Sequence, residues 1–169
     1  MSDTIDPVWL TAARGHLGVR EYDAKRPGPA GELSNPRVEA WQKLAGIRQP
    51  DDEIPWCAAF VTGVLHEVGL TDFSTSSARA FAKYGQKLLA PRPGCIVALW
   101  RDSPTSAHGH VGFYVSDDAH GGVLLLGGNQ GNAVLIRPYT RARVLGYRWP
   151  TEDVLSAAGL TRDGLRRAL

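Results

Sequence analysis

Three side chains in this sequence have the types that amide hydrolysis needs: a thiol at Cys57, an imidazole at His110 and an amide at Asn129. Cys57 follows Pro55 by two residues, and proline is favoured at the first position of a helix because its missing N–H would have had no partner there. A thiol at a helix N-terminus lies among unpaired N–H groups at the positive end of the macrodipole, which favours the thiolate. Cys57 also precedes Phe60 and Val61 by three and four residues, which puts it on the apolar face of the same helix. Free cysteine on such a face is commonly a plain core residue. Asp51, Asp52 and Glu53 suit a helix start but work against a thiolate, so they favour neither reading.

The imidazole and the amide are linked by register. Two β-rich runs, 110–115 and 123–126, flank the turn signal Asp117-Asp118-Ala119-His120-Gly121. Centring an antiparallel hairpin between Ala119 and His120 pairs Val115 with Leu124, Phe113 with Leu126 and His110 with Asn129. An amide oxygen facing an imidazole fixes its tautomer and leaves the second ring nitrogen for a thiol, which outlines a Cys-His-Asn triad. Taken singly, His110 also reads as a strand histidine bonded to backbone, and Asn129 as a turn residue tolerant of positive φ. His108-Gly109-His110 offers a competing metal pair, since alternate residues of a strand share a face. A catalytic zinc needs a third protein ligand, and His120 falls at the far end of the hairpin. No GxSxG elbow, GxGxxG or P-loop lysine motif occurs, and Glu21, Asp23 and Glu32 do not have EF-hand spacing.

The elements that must position these groups separate along the chain. Helices are expected from Pro7 to Leu17 with Asp6 as N-cap and Gly18 as stop, from Asn35-Pro36 onward, from Pro55 to Gly69, and over Ser77 to Tyr84. A Gly/Pro-rich loop from Tyr22 to Leu33 lies between the first two. Five strands follow, over 95–100, 110–115, 123–126, 133–137 and 145–149, in an order whose simplest form is an antiparallel meander. Helices followed by strands make an α+β domain. Residues 1–150 hold this domain, and residues 151–169 form a short helical tail with Arg162, Arg166 and Arg167 on its polar side.

The chain has 169 residues, enough for one domain with a single sizeable core. With 43% hydrophobic and 21% charged residues it falls among globular proteins and outside disordered ones. A net charge of +2 gives no basic excess for nucleic acid, so none is expected as a partner. No apolar run approaches the roughly 18 residues a membrane span needs. Met1 to Pro7 has neither a basic nor an apolar signal region, which leads to an expectation of synthesis in the cytoplasm without a signal peptide. Two cysteines, Cys57 and Cys95, make no disulfide framework and read as free thiols.

Four stretches taken together carry a resemblance. Pro55-Trp56-Cys57-Ala58-Ala59-Phe60-Val61, Pro93-Gly94 before a strand ending in Trp100, Gly109-His110-Val111-Gly112-Phe113-Tyr114 and Gly127-Gly128-Asn129-Gln130 resemble the CHAP and NlpC-type papain-like amidase/peptidase families. The resemblance spans residues 7 to 150. It implies N-terminal helices packed on an antiparallel sheet of about five strands, and cleavage of amide bonds in the peptide of bacterial peptidoglycan. Carried over by motif, Cys57 is the nucleophile, His110 the base and Asn129 the orienting residue. Apart from the resemblance, Trp56 and Trp100 read either as core or as aromatics flanking a cleft and stacking on sugar or peptide, and Trp56 and Gln130 are the residues expected at the substrate. Many CHAP proteins have Gln before the nucleophile and Asp after Pro-Gly, where this chain has Trp56 and Cys95. Only the backbone N–H of Cys57 is therefore named as an oxyanion donor. The expectation is a monomeric hydrolase that needs no metal or organic cofactor and acts in the cell-wall compartment as a phage endolysin or secreted antibacterial effector. Its competitors are a zinc-dependent peptidoglycan peptidase using the His-Gly-His pair and a non-catalytic wall-binding module.

Overall fold

Helix α3, Cys57–Glu67, is buried on all sides from Cys57 to Leu65, as a helix apolar around its whole circumference must be. The computed structural model that shows this describes residues 5–167; positions 1–4 and 168–169, the outer ends of the expected domain and tail, lie outside the described residues. Around α3 lie α1 (Val8–Gly15), α2 (Pro36–Leu44) and a six-stranded antiparallel sheet, which together make the expected α+β fold. The strands are β1 (Gln86–Leu88), β2 (Ile96–Trp100), β3 (Gly109–Asp117), β4 (Val123–Gly127), β5 (Leu135–Tyr139) and β6 (Val144–Trp149), in the spatial order β1-β6-β2-β3-β4-β5. The meander thus holds from β2 to β5 only. A 3-10 turn over Arg141–Arg143 then carries the chain back across the sheet, so that β6 pairs with β2 instead of β5. β1 carries too little alternation in its three residues to be read from sequence; it pairs with β6 from Gln86↔Trp149 to Leu88↔Tyr147. The expected helix at Ser77 to Tyr84 is a 3-10 helix, Ala78–Lys83.

Helix starts follow local chemistry. Asn35 caps α2 by accepting from the Arg37 N–H at 2.9 Å, with Pro36 at the first position. Asp6 does not cap α1; it pairs instead with Arg14 Nε at 2.7 Å, a turn and more along the helix, and Pro7 holds the N-cap place. The C-terminal segment is tied down. α4 (Glu152–Ala157) buries Leu155, and Val8 donates its N–H to Gly164 O at 2.9 Å. Trp149 Nε1 donates to Arg162 O at 3.0 Å, and the Arg92 guanidinium lies 3.4 Å over the Trp149 ring.

The helices and the sheet meet through aromatic edges. Phe60 of α3 packs edge-on to Phe113 of β3, with ring centroids 6.3 Å apart, and Trp41 of α2 meets Phe60 at 5.1 Å. This close approach of α2 and α3 needs Gly63, where a Cβ would lie only 2.1 Å from Trp41 Cδ1. Gly63→Ala is therefore expected to destabilise the fold by about 1–2 kcal/mol, since overpacking outweighs the gain in helix propensity. Urea unfolding checks this through a lower midpoint at unchanged slope.

Candidate active site

Cys57 opens α3, so the N–H groups of Cys57 and Ala58 have no carbonyl one turn earlier to bond. The helix begins two residues later than Pro55 suggested, with Trp56 at the N-cap. The sulfur is buried, and the N–H of Val111, the residue after His110, reaches it together with the N–H groups of Ala58 and Cys57 itself. These contacts place the thiol against the start of β3. Burial pushes the thiol above its ordinary range, and the three N–H groups and the Arg101 charge only partly oppose it. The helix terminus alone does not yield a resting thiolate here.

His110 is the second residue of β3, opposite Leu99 of β2, and is almost wholly buried. Its Nε2 lies 3.0 Å from Gln130 Oε1, while Nδ1 has no hydrogen-bond partner among the described residues. The Gln130 amide is held by its NH2 group, which donates to the carbonyls of Leu125 and Leu135 on β4 and β5. With both amide protons committed, Oε1 faces the ring, so the imidazole carries its proton on Nε2 and its lone pair on Nδ1. Burial lowers the His110 pKa to about 4; the bond to Gln130 opposes the shift, and the positive charges of Arg101 and Arg143 add to it. Thiol and imidazole are therefore both neutral at rest.

Asn129 does not occupy the place expected for it. β4 ends at Gly127, and Asn129 sits in the following turn with φ of 54°. This is the turn-residue role, and it carries the backbone round so that the next residue points at His110. Asn129 lines a surface pocket of about 350 Å³ with Glu21, Tyr22, Asp23, Glu53 and Asn132. Gln130, expected at the substrate, holds the imidazole instead. The expected pairing of Phe113 with Leu126 is present, but a bulge between Tyr114 and Ser116 shifts the rest of the hairpin, so Leu124 faces Ser116 and not Val115.

Trp56 offers no surface to a substrate. It is fully buried, its Nε1 donates to Glu21 Oε1 at 2.8 Å, and its ring stacks on Trp41 at 6.0 Å. Burial raises the Glu21 pKa, with the neighbouring carboxylates of Asp52, Glu53 and Asp23 adding to it and the Trp56 N–H opposing. His108 lies outside β3 in an exposed loop and pairs with Asp102 Oδ2 at 2.8 Å, while His110 is buried, so the two rings do not share a ligand face. Among the described residues no group of three His, Cys, Asp or Glu side chains is placed to hold a metal ion, and no helix is long and apolar enough to cross a membrane. Tyr139, which no spacing rule singled out, donates its hydroxyl to Gln130 Oε1 at 2.8 Å and stacks on His110.

This arrangement belongs to the class of buried thiol–imidazole–amide sites at a helix–sheet junction. Residues 49–129 match the family model of the CHAP domain, as the motifs suggested, and CHAP domains form a family of peptidoglycan amidases and peptidases. The match takes in Cys57 and His110 and stops one residue before Gln130. No curated protein and no solved structure matches the chain.

The chain has five histidines, and a proton NMR titration is expected to find the His110 Hε1 signal, assigned by its loss in His110→Ala, moving with a midpoint near 4. The same shift makes stability pH-dependent. Between pH 6.5 and 4 the unfolded chain takes up a proton that native His110 refuses, so stability falls as pH falls through this window, by up to about 3 kcal/mol.

Proposed function

We propose that the protein is a cysteine amidase or endopeptidase that cleaves an amide bond in the peptide part of bacterial peptidoglycan. The observation that carries this reading is the His110–Gln130 bond, which leaves a buried, unpartnered imidazole nitrogen beside a helix that begins with a cysteine. In the proposed reaction the Cys57 thiol gives its proton to His110 Nδ1 as the sulfur attacks the amide carbonyl. The oxyanion forms at the head of α3, where the unbonded N–H of Cys57 can donate to it. His110 then passes the proton to the leaving amine, and the C–N bond breaks to leave a thioester. Water, deprotonated by the same nitrogen, attacks the thioester and releases a carboxylic acid and the free thiol. Gln130 takes the orienting role expected of Asn129, because a glutamine amide whose NH2 group donates to two backbone carbonyls presents its oxygen to the ring as an asparagine would.

A neutral pair gives this proposal a specific pH behaviour. Because His110 accepts a proton only when neutral, the rate on soluble peptide is expected to hold from pH 7 down to about 5 and to fall near pH 4, well below the limb of an ordinary histidine. The substrate lies in the cell-wall compartment, and a phage endolysin or a secreted antibacterial effector, acting as a monomer and without a cofactor, is the context proposed for it.

Amines released from purified sacculi test the assignment. Cys57→Ala is expected to abolish release, and Cys95→Ala, at a buried position away from the imidazole, to keep most of it. Gln130→Ala is expected to lose roughly 100-fold, whereas Asn129→Gly, which preserves the left-handed turn, loses little. EDTA should leave the wild-type rate unchanged. Loss on Asn129→Gly with none on Gln130→Ala would return the orienting role to Asn129, and EDTA sensitivity would favour the zinc reading.

A further inference from the structure

The proposed mechanism uses Cys57, His110 and Gln130, and leaves one side chain in contact with two of them unexplained. Tyr139 ends β5, next to β4 in the sheet, and its hydroxyl donates to the same Gln130 oxygen that faces His110 Nε2. Its ring lies against the imidazole, with centroids 5.1 Å apart and planes 27° from parallel. Two donors on one carbonyl oxygen, with the amide nitrogen held by Leu125 and Leu135, leave Gln130 a single orientation. The phenol ring meanwhile covers one face of His110, so the imidazole cannot swing out of line with α3, and water is excluded from the His110–Gln130 bond.

We propose that Tyr139 is a positioning residue, which locks the Gln130 amide through its hydroxyl and walls the His110 ring through its aromatic face. The inference rests on the thiol reading of the site, and it deepens that reading by naming what keeps the base in place. Both roles have a chemical consequence. When His110 takes the thiol proton, the imidazolium formed lies parallel to an electron-rich face, which favours it only while the stack persists. The charged groups that reach this ring are Arg101 after β2 and Arg143 before β6, both of which oppose its protonation, and the Cys57 thiol of α3 meets the N–H of the next residue, Val111. Tyr139 itself stays protonated: burial, with the nearby Cys57 adding to it, pushes its pKa up to about 12, so it remains a donor across the working range.

The hydroxyl and the ring separate in two substitutions, Tyr139→Phe and Tyr139→Leu. Three readouts are taken on folded protein: His110 Hε1 titration, the rate of Cys57 alkylation by iodoacetamide from pH 5 to 9, and kcat and KM on soluble muropeptides released from sacculi by a muramidase. Tyr139→Phe is expected to keep the His110 midpoint near 4 and lower kcat about tenfold with KM unchanged. Tyr139→Leu is expected to raise the midpoint by at least one pH unit toward 6.5, because burial is the largest cause of the lowered value and the hydration regained outweighs the loss of the aromatic face. It should also shift the pH dependence of alkylation and lower kcat further. Variants that match wild type in all three readouts, or that lose activity only through KM, overturn the proposal. Should Tyr139→Leu fail to fold, Tyr139→Phe decides alone: an unchanged kcat overturns the hydroxyl's role and with it the proposal. Absence of muropeptide turnover by wild type would instead overturn the peptidoglycan reading, while titration and alkylation still report on Tyr139.

Discussion

A buried imidazole needs a partner for the proton it carries, and in this protein that need is met by one glutamine oxygen. His110 is almost wholly buried, and the Nε2 contact to Gln130 is the only hydrogen bond its ring makes among the described residues. For Gln130 to supply it, β4 and β5 must be adjacent with Gly127 opposite Leu135, so that the carbonyls of Leu125 and Leu135 hold the amide from both strands. The turn between them must also fold back tightly. It does so through left-handed backbone at Asn129, Gly131 and Asn132, conformations that asparagine and glycine adopt at the least steric cost. The sheet topology thus serves one hydrogen bond, and that bond decides which ring nitrogen is left with a lone pair.

The thiol is brought to the start of β3 by packing. Gly128 touches the first turn of α3 so closely that a Cβ there would lie 2.6 Å from both the Phe60 Cβ and the Trp56 ring. The turn that positions Gln130 therefore presses on the residues flanking Cys57, and Glu21 holds Trp56 from the other side. Burial that fixes the two groups also keeps them uncharged, because taking either ion out of water is unfavourable in the absence of a substrate. In the proposed reaction the proton transfer from thiol to imidazole is then coupled to attack, with both charges developing only as the oxyanion meets the N–H groups at the head of α3.

Much of this was legible in the sequence, for identifiable reasons. The helix that carries Cys57 announces itself by Pro55 and an apolar stripe, and the hairpin that carries His110 by alternation around a turn. The Phe113–Leu126 register followed from that turn and is present. What failed was extrapolation beyond regular structure. A constant-sum pairing carried to Asn129 passes the end of β4 at Gly127, after which left-handed backbone breaks the alternation and brings Gln130 to the ring. The parity that put His108 beside His110 fails likewise, because β3 begins at Gly109. Trp56 misled in a different way: an aromatic beside a candidate nucleophile suggests stacking on substrate, but its indole N–H found a carboxylate 35 residues upstream that no local rule connects to it.

The central claim, that Gln130 fixes His110 as the neutral tautomer protonated on Nε2, is tested most directly by imidazole nitrogen NMR on ¹⁵N-histidine-labelled protein at pH 7. The account predicts one His110 nitrogen with a bound proton, Nε2, coupled across its hydrogen bond toward Gln130, and Nδ1 with the shift of an unprotonated nitrogen. A proton found on Nδ1, or an imidazolium with both nitrogens protonated at that pH, would contradict it.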